Sequence, residues 1–219
     1  MFPIKVTQPS YSRPIVTVLL IVANIYVFLH EEWLDPWARN QFIAHYSLRP
    51  AYFHPENLLT HMFLHAGWLH VLGNMLFLWV FGDNVEDILG HFKYLIFYLL
   101  CGVTAGLSQV VIDPYSRVPM VGASGAIAGV MGAFLVKFPR AEVKMLTFFF
   151  LIFAFDVPAW AMLIYWFGIQ LLGGYSSLGE ASQGGTAFFA HIGGFIVGIV
   201  LIYMMGTRQR YWRREDLSW

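Results

Sequence analysis

The sequence predicts an all-α, polytopic membrane protein, a bundle of six transmembrane helices with both termini on the cytoplasmic side. Three observations carry this. The 219 residues are 58% hydrophobic and only 12% charged, against about 25% charged in soluble domains. Six apolar segments approach the roughly 20 residues that a bilayer crossing takes. Basic residues also crowd alternate loops. The mean hydropathy of +0.61 agrees.

The first span covers 14–30 and is read as a membrane helix, because it lacks the small-residue cleavage site of a signal peptide. A long external loop, 31–67, follows. It carries Trp33, Trp37, Tyr46, Tyr52 and Phe53, with Trp68 just beyond, a density expected of a segment lying in the membrane interface. The remaining spans are 68–84, 91–111, 121–138, 156–174 and 186–206, with a cytoplasmic tail at 207–219. The apolar stretch 145–155 (MLTFFFLIFAF) is read as interfacial. Joining it to the fifth span would make one helix too long, and Pro158 interrupts it.

Lys5, Arg13, Lys93, Lys137, Arg140, Lys144, Arg208, Arg210, Arg213 and Arg214 fall on one side of this arrangement, and Arg39, Arg49 and Arg117 on the other. The richer side is cytoplasmic by the positive-inside rule. Spans two, four and six therefore enter from the outer face. With no repeats or linkers, the chain reads as one membrane domain over 1–219. Thirteen basic and thirteen acidic residues cancel, so no nucleic-acid partner is expected. The lone Cys101 excludes an intrachain disulfide framework. The short tails point to a bacterial cytoplasmic (inner) membrane.

Chemistry concentrates at one depth. With outer helix ends near Gly67, Met120 and Thr186, the side chains of His70, Ser124 and His191 lie three to five residues inside, roughly 5–8 Å at 1.5 Å per residue. Gly125, Gly129 and Gly132 make a smooth stripe on span four, and Gly194 and Gly198 on span six. Small faces let backbones approach closely in lipid, and such seams are commonly packing alone. Here they adjoin Ser124 and His191, so their meeting would bring hydroxyl and imidazole within hydrogen-bond reach. A serine needs a base to become a nucleophile, and histidine suits the task. His70 and Asn74, four apart on one helix face, offer donors for a developing oxyanion. Asn74 serves equally well as an interhelical hydrogen bond.

No carboxylate is an evident third partner. Asp83, Glu86, Asp87 and Asp156 fall at cytoplasmic helix ends and Asp113 in an outer loop, so a Ser–His dyad is expected. His54, His61, His65 and His70 raise a metal site, but HExxH is absent and no carboxylate follows at ligand spacing. No metal or other cofactor is expected.

HAGWLHVLGNMLFLWVFGDNVEDILG (65–90), VGASGA (121–126) and AHIGGFIVG (190–198) resemble the three signature blocks of rhomboid intramembrane serine proteases, in family order, with the likeness running over about 14–206. The resemblance implies Ser124 as nucleophile and His191 as general base. It implies His70, Asn74 and the Ser124 backbone N–H as the oxyanion hole. Glu86 and Gly90 match an acidic residue and glycine with a structural role closing the second span. PAW (158–160) with Gln170 resembles a fifth span that helps gate lateral substrate entry. Three positions depart from the family pattern. Glu56 and Asn57 stand where many relatives carry Trp-Arg. Ala128 stands where many carry an aromatic that stacks on the catalytic histidine.

The expected function is hydrolysis of peptide bonds in or near transmembrane segments of other membrane proteins, within the bilayer. Two rivals remain at this level. One is an inactive relative that binds membrane clients. The other is a small transporter or channel using His70, Asn74 and His191 as a polar path.

Overall fold

A computed structural model describes residues 2–149, 151–177 and 187–207. Its long helices are α1 (Ile15–Trp33), α4 (Trp68–Leu89), α5 (His91–Ile112), α6 (Ser124–Lys137), α7 (Ala159–Ser177) and α8 (Phe188–Met204). Shorter α2 (Pro36–Tyr46) and α3 (Asn57–Thr60) lie in the segment between α1 and α4. The arrangement is mostly helical, as the apolar composition requires in lipid, where backbone groups must be satisfied internally.

The fold is not all-α. A three-stranded antiparallel sheet, ordered β1-β2-β3, is built from Phe2–Val6, Glu142–Phe149 and Leu151–Pro158. Strands β2 and β3 pair from Glu142↔Pro158 to Phe149↔Leu151, and β1 pairs with β2 from Phe2↔Leu146 to Val6↔Val143. The interfacial stretch 145–155 is therefore a hairpin. Aromatic and β-branched residues favour extended backbone, and Val143 is buried where Glu142 is exposed. The expected start of the fifth span at 156 is corrected for the same reason. Asp156–Pro158 complete β3, and the helix begins at Ala159, just after a proline that supplies no backbone donor.

By length and apolarity, α1 and α5 could each cross a membrane. Helix α6 has 14 residues, only about 21 Å at 1.5 Å per residue, against a hydrocarbon core of about 30 Å. Every residue from Gly125 to Phe134 is buried, so α6 is wrapped by other helices instead of by lipid. The expected fourth span (121–138) starts late, because Val121 and Gly122 are needed as a non-helical link, Gly122 at φ +119°. The expected second span (68–84) continues to Leu89, its acidic end buried and satisfied by the N-terminal segment. The expected start of the sixth span at 186, and the tail beyond Thr207, lie outside the described residues.

Glycine places α8 against α6. A Cβ at Gly194 would overlap the Gly125 carbonyl oxygen, and one at Gly198 would overlap the Gly129 carbonyl oxygen. The two stripes meet backbone to backbone. Gly129 also faces the Cys101 sulfur of α5, and Gly125 faces Ala105, so three helices share one seam.

The acidic end of α4 anchors the N-terminus. Glu86, fully buried, accepts from the backbone N–H groups of Val16 and Thr17 at 2.8 Å and from the Thr17 hydroxyl at 2.7 Å. These are first-turn donors of α1 with no partner inside the helix. A carboxylate also complements the positive end of the helix dipole. Asp87 takes the Tyr11 backbone N–H at 2.7 Å and the Ser12 hydroxyl. Gly90, at φ 84°, then turns the chain into α5.

Candidate active site

The segment between α1 and α4 is tied down before it meets Ser124. Asp35 caps α2 through the Trp37 and Ala38 N–H groups at 2.9 and 3.0 Å, with Pro36 at the first helical position. The expected interfacial aromatics Trp33, Trp37, Tyr46, Tyr52, Phe53 and Trp68 are all exposed. Asn57, one of the two departures from the usual Trp-Arg, is buried and donates from Nδ2 to the Ser47 carbonyl at 2.8 Å, while its own carbonyl accepts from His61 Nδ1 at 2.7 Å. Leu48 and Met120 exchange backbone hydrogen bonds at 3.1 and 2.8 Å. The Gly122 N–H donates to the His61 carbonyl at 2.9 Å. The link leading to Ser124 thus hangs from the segment between α1 and α4.

Ser124 opens α6, where backbone N–H groups point outward without intrahelical acceptors. Its Oγ lies 2.7 Å from His191 Nε2. His191 sits one turn into α8 and is brought there by the glycine seam just below. The other ring nitrogen, Nδ1, is 2.8 Å from Gln170 Oε1 on α7. Trp166, one turn earlier on α7, packs beside the imidazole with ring centroids 5.7 Å apart and planes inclined by 39°. Ala128, where the resemblance leads one to expect an aromatic, is itself fully buried in the α6 core.

His70 and Asn74 face the same link. A Cβ on Gly122 would lie 2.7 Å from His70 Nε2 and 3.3 Å from Asn74 Nδ2. Both side chains therefore crowd the residue two before Ser124, at a position that only glycine fits. His70 Nδ1 accepts the Ala66 N–H at 3.4 Å, which leaves the ring proton for Nε2, the nitrogen turned toward Gly122. Asn74 Nδ2 is 2.9 Å from His65 Nε2. The His65 and His70 rings meet edge to face with centroids 5.1 Å apart.

All four residues singled out by sequence, Ser124, His191, His70 and Asn74, converge on the N-terminal end of α6. His65 was grouped with the metal candidates and instead anchors Asn74. His61 is bound to its own turn, and exposed His54 faces Glu56 at 3.7 Å. Among the described residues, no three His, Cys, Asp or Glu side chains gather as metal ligands. Sequence reasoning did not find the bond from Gln170 to His191 or the Trp166 contact. The only signal was their place on an apolar helix, a buried amide one turn after a tryptophan.

The arrangement can hold a hydroxyl against an imidazole nitrogen, with donors from two neighbouring side chains and a helix N-terminus. The Rhomboid domain family matches residues 53–208. Rhomboid protease GluP of Bacillus subtilis is 44% identical over 78 residues, 36% of this chain and 15% of that protein. Rhomboid-like protein 11, chloroplastic, of Arabidopsis thaliana is 30% identical over 189 residues, 85% of this chain and 64% of that one. Rhomboid protein 1, mitochondrial, of Saccharomyces cerevisiae is 29% identical over 149 residues, 66% and 40%. The chain thus spans between 15% and 64% of the length of these relatives. With the family matched over most of its length, the chain belongs to the rhomboid family of integral membrane proteins.

Proposed function

We propose that the chain is an intramembrane serine endopeptidase that cleaves transmembrane proteins near the outer ends of their helices, with both of its own termini cytoplasmic. The observation that carries this reading is the 2.7 Å approach of Ser124 Oγ to His191 Nε2, at the N-terminal end of a buried helix. His191 Nε2 takes the hydroxyl proton as Oγ bonds to the substrate carbonyl carbon. The resulting oxyanion is met by His70 Nε2–H, by Asn74 Nδ2–H and by the backbone N–H of Ser124, next to the positive end of the α6 dipole. Collapse breaks the C–N bond, and His191 returns its proton to the leaving amine. A water molecule then attacks the acyl ester, giving its proton to His191, which passes it to Ser124 Oγ as the acid product leaves. No step draws on a metal or cofactor.

Substrate presentation follows from backbone chemistry. A carbonyl inside a substrate helix is already hydrogen-bonded, so the helix must open locally before Ser124 can reach it. Small or helix-weakening residues near the cut favour this. The test is cleavage of a transmembrane substrate in proteoliposomes by the wild type, Ser124→Ala and His191→Ala. Cleavage by the wild type alone supports the proposal. Equal cleavage by all three overturns it.

A further inference from the structure

Gln170 is one of only four buried residues on α7, with Ala159, Leu163 and Gly174, and the one among them with a polar side chain. The rest of the helix turns outward, with Trp160, Ile164, Tyr165, Ile169, Leu171, Leu172 and Tyr175 exposed. An amide kept on the inner face of such a helix carries a desolvation cost unless both of its ends are bonded. Both are. Nε2 donates to the Trp166 carbonyl at 3.4 Å, and Oε1 faces His191 Nδ1 at 2.8 Å.

These two bonds fix a proton. A carbonyl oxygen can only accept, so the amide atom facing Trp166 O is the nitrogen. The atom facing His191 is then the oxygen, also an acceptor. His191 Nδ1 must therefore carry the ring proton. In the neutral ring this leaves Nε2 with its lone pair directed at the Ser124 hydroxyl, the only tautomer that can take the serine proton. With the opposite tautomer, the bare Nδ1 lone pair would face the Gln170 carbonyl oxygen, two acceptors with no proton between them.

Resting on the protease reading, we infer that Gln170 is a positioning residue, a neutral amide third member of a Ser124–His191–Gln170 triad, which selects the productive tautomer of His191. Trp166, four residues earlier on α7, flanks the same ring and limits its tilt. The amide does through its dipole what a carboxylate does in charged triads. It orients the imidazole without placing a full negative charge among apolar helices, where such a charge is costly.

The experiment uses the purified full chain in detergent with two readouts: the rate of labelling by a small fluorophosphonate and the cleavage of a transmembrane substrate. Gln170→Leu keeps the volume and removes the acceptor. Both the labelling rate and kcat should fall by about 100-fold, with KM within about twofold and the thermal midpoint near that of the wild type. Gln170→Glu keeps an acceptor of the same reach and should restore labelling to within a few-fold. Slower substrate cleavage with wild-type labelling in Gln170→Leu would show a packing role and overturn the inference. So would a well-folded Gln170→Glu as slow as Gln170→Leu. If Gln170→Leu does not fold, nitrogen-15 spectra of histidine-labelled wild type decide. Protonated Nδ1 with bare Nε2 in His191 is expected, and the reverse overturns the inference. Wild-type labelling that persists in Ser124→Ala would instead overturn the protease reading itself.

Discussion

The backbone N–H of Gly122 donates to the carbonyl of His61 at 2.9 Å, joining the segment between α1 and α4 to the link that precedes Ser124. One hydrogen bond thereby makes the placement of Ser124, the proposed nucleophile, depend on a loop more than sixty residues upstream. The left-handed backbone of Gly122, at φ +119°, allows both this bond and the close approach of His70.

Gly122→Ala should therefore disable the site. The added methyl would sit 2.7 Å from His70 Nε2, and the backbone conformation disfavours any side chain. Cleavage should fall by at least about tenfold, the loss expected from about 1.4 kcal/mol of misplacement. Wild-type activity in this variant would contradict the placement of His70 beside the link.

The glycine seam makes a second prediction. Gly194→Ala and Gly198→Ala each place a methyl on a facing carbonyl oxygen of α6. The helices must part, and His191 moves with α8. Labelling of Ser124 should be lost in either variant, while Ala in place of exposed-side Gly168, which meets nothing within 4 Å, should be tolerated.

Removing an oxyanion donor should cost rate and not affinity. Asn74→Leu and His70→Leu are each expected to lower kcat by about 100-fold with little change in KM. His65→Leu deprives Asn74 of the partner 2.9 Å away and should give a smaller loss in the same direction. Unchanged kcat in Asn74→Leu would remove this residue from the proposed hole.

The loop around His61 should loosen in acid. Burial lowers the His61 imidazole from its usual 6.5 to about 4. Between those values the opened loop binds a proton that the closed loop does not. The closed state is thus fully favoured above about pH 6.5 and weakens as pH falls toward 4. The protection factors of amides over 54–65, which are already corrected for intrinsic exchange, should fall across that window in the wild type. In His61→Gln, which removes this titration, protection should be lower throughout and fall less steeply with acid, with His65, also lowered by burial to about 4, still contributing.

The convergence of the candidate residues was legible because it depends on a few side chains at set depths. Ser124 and His191 each adjoin a small-residue stripe, and such stripes allow few helix arrangements. His70 and Asn74 were readable as polar groups on one face of an apolar helix. The sheet was not readable in the same way. A run such as 145–155 is apolar in helix, strand or interface alike, and only its pairing with Phe2–Val6, some 140 residues away, decides. The bond from Gln170 to His191 was hidden for a related reason. An amide inside an apolar helix signals a need for a partner, but the partner is set by how α7 meets α8. Glu86 was assigned a structural role by resemblance; its carboxylate proved to satisfy the first turn of α1.

The most direct test is mass spectrometry of the purified protein after fluorophosphonate treatment, with the adduct mapped to a residue. The account predicts one phosphonyl group on Ser124 in the wild type, and none at that site in His191→Ala under the same conditions. A wild type that stays unmodified, or an adduct on Ser124 that forms equally fast without His191, would contradict it.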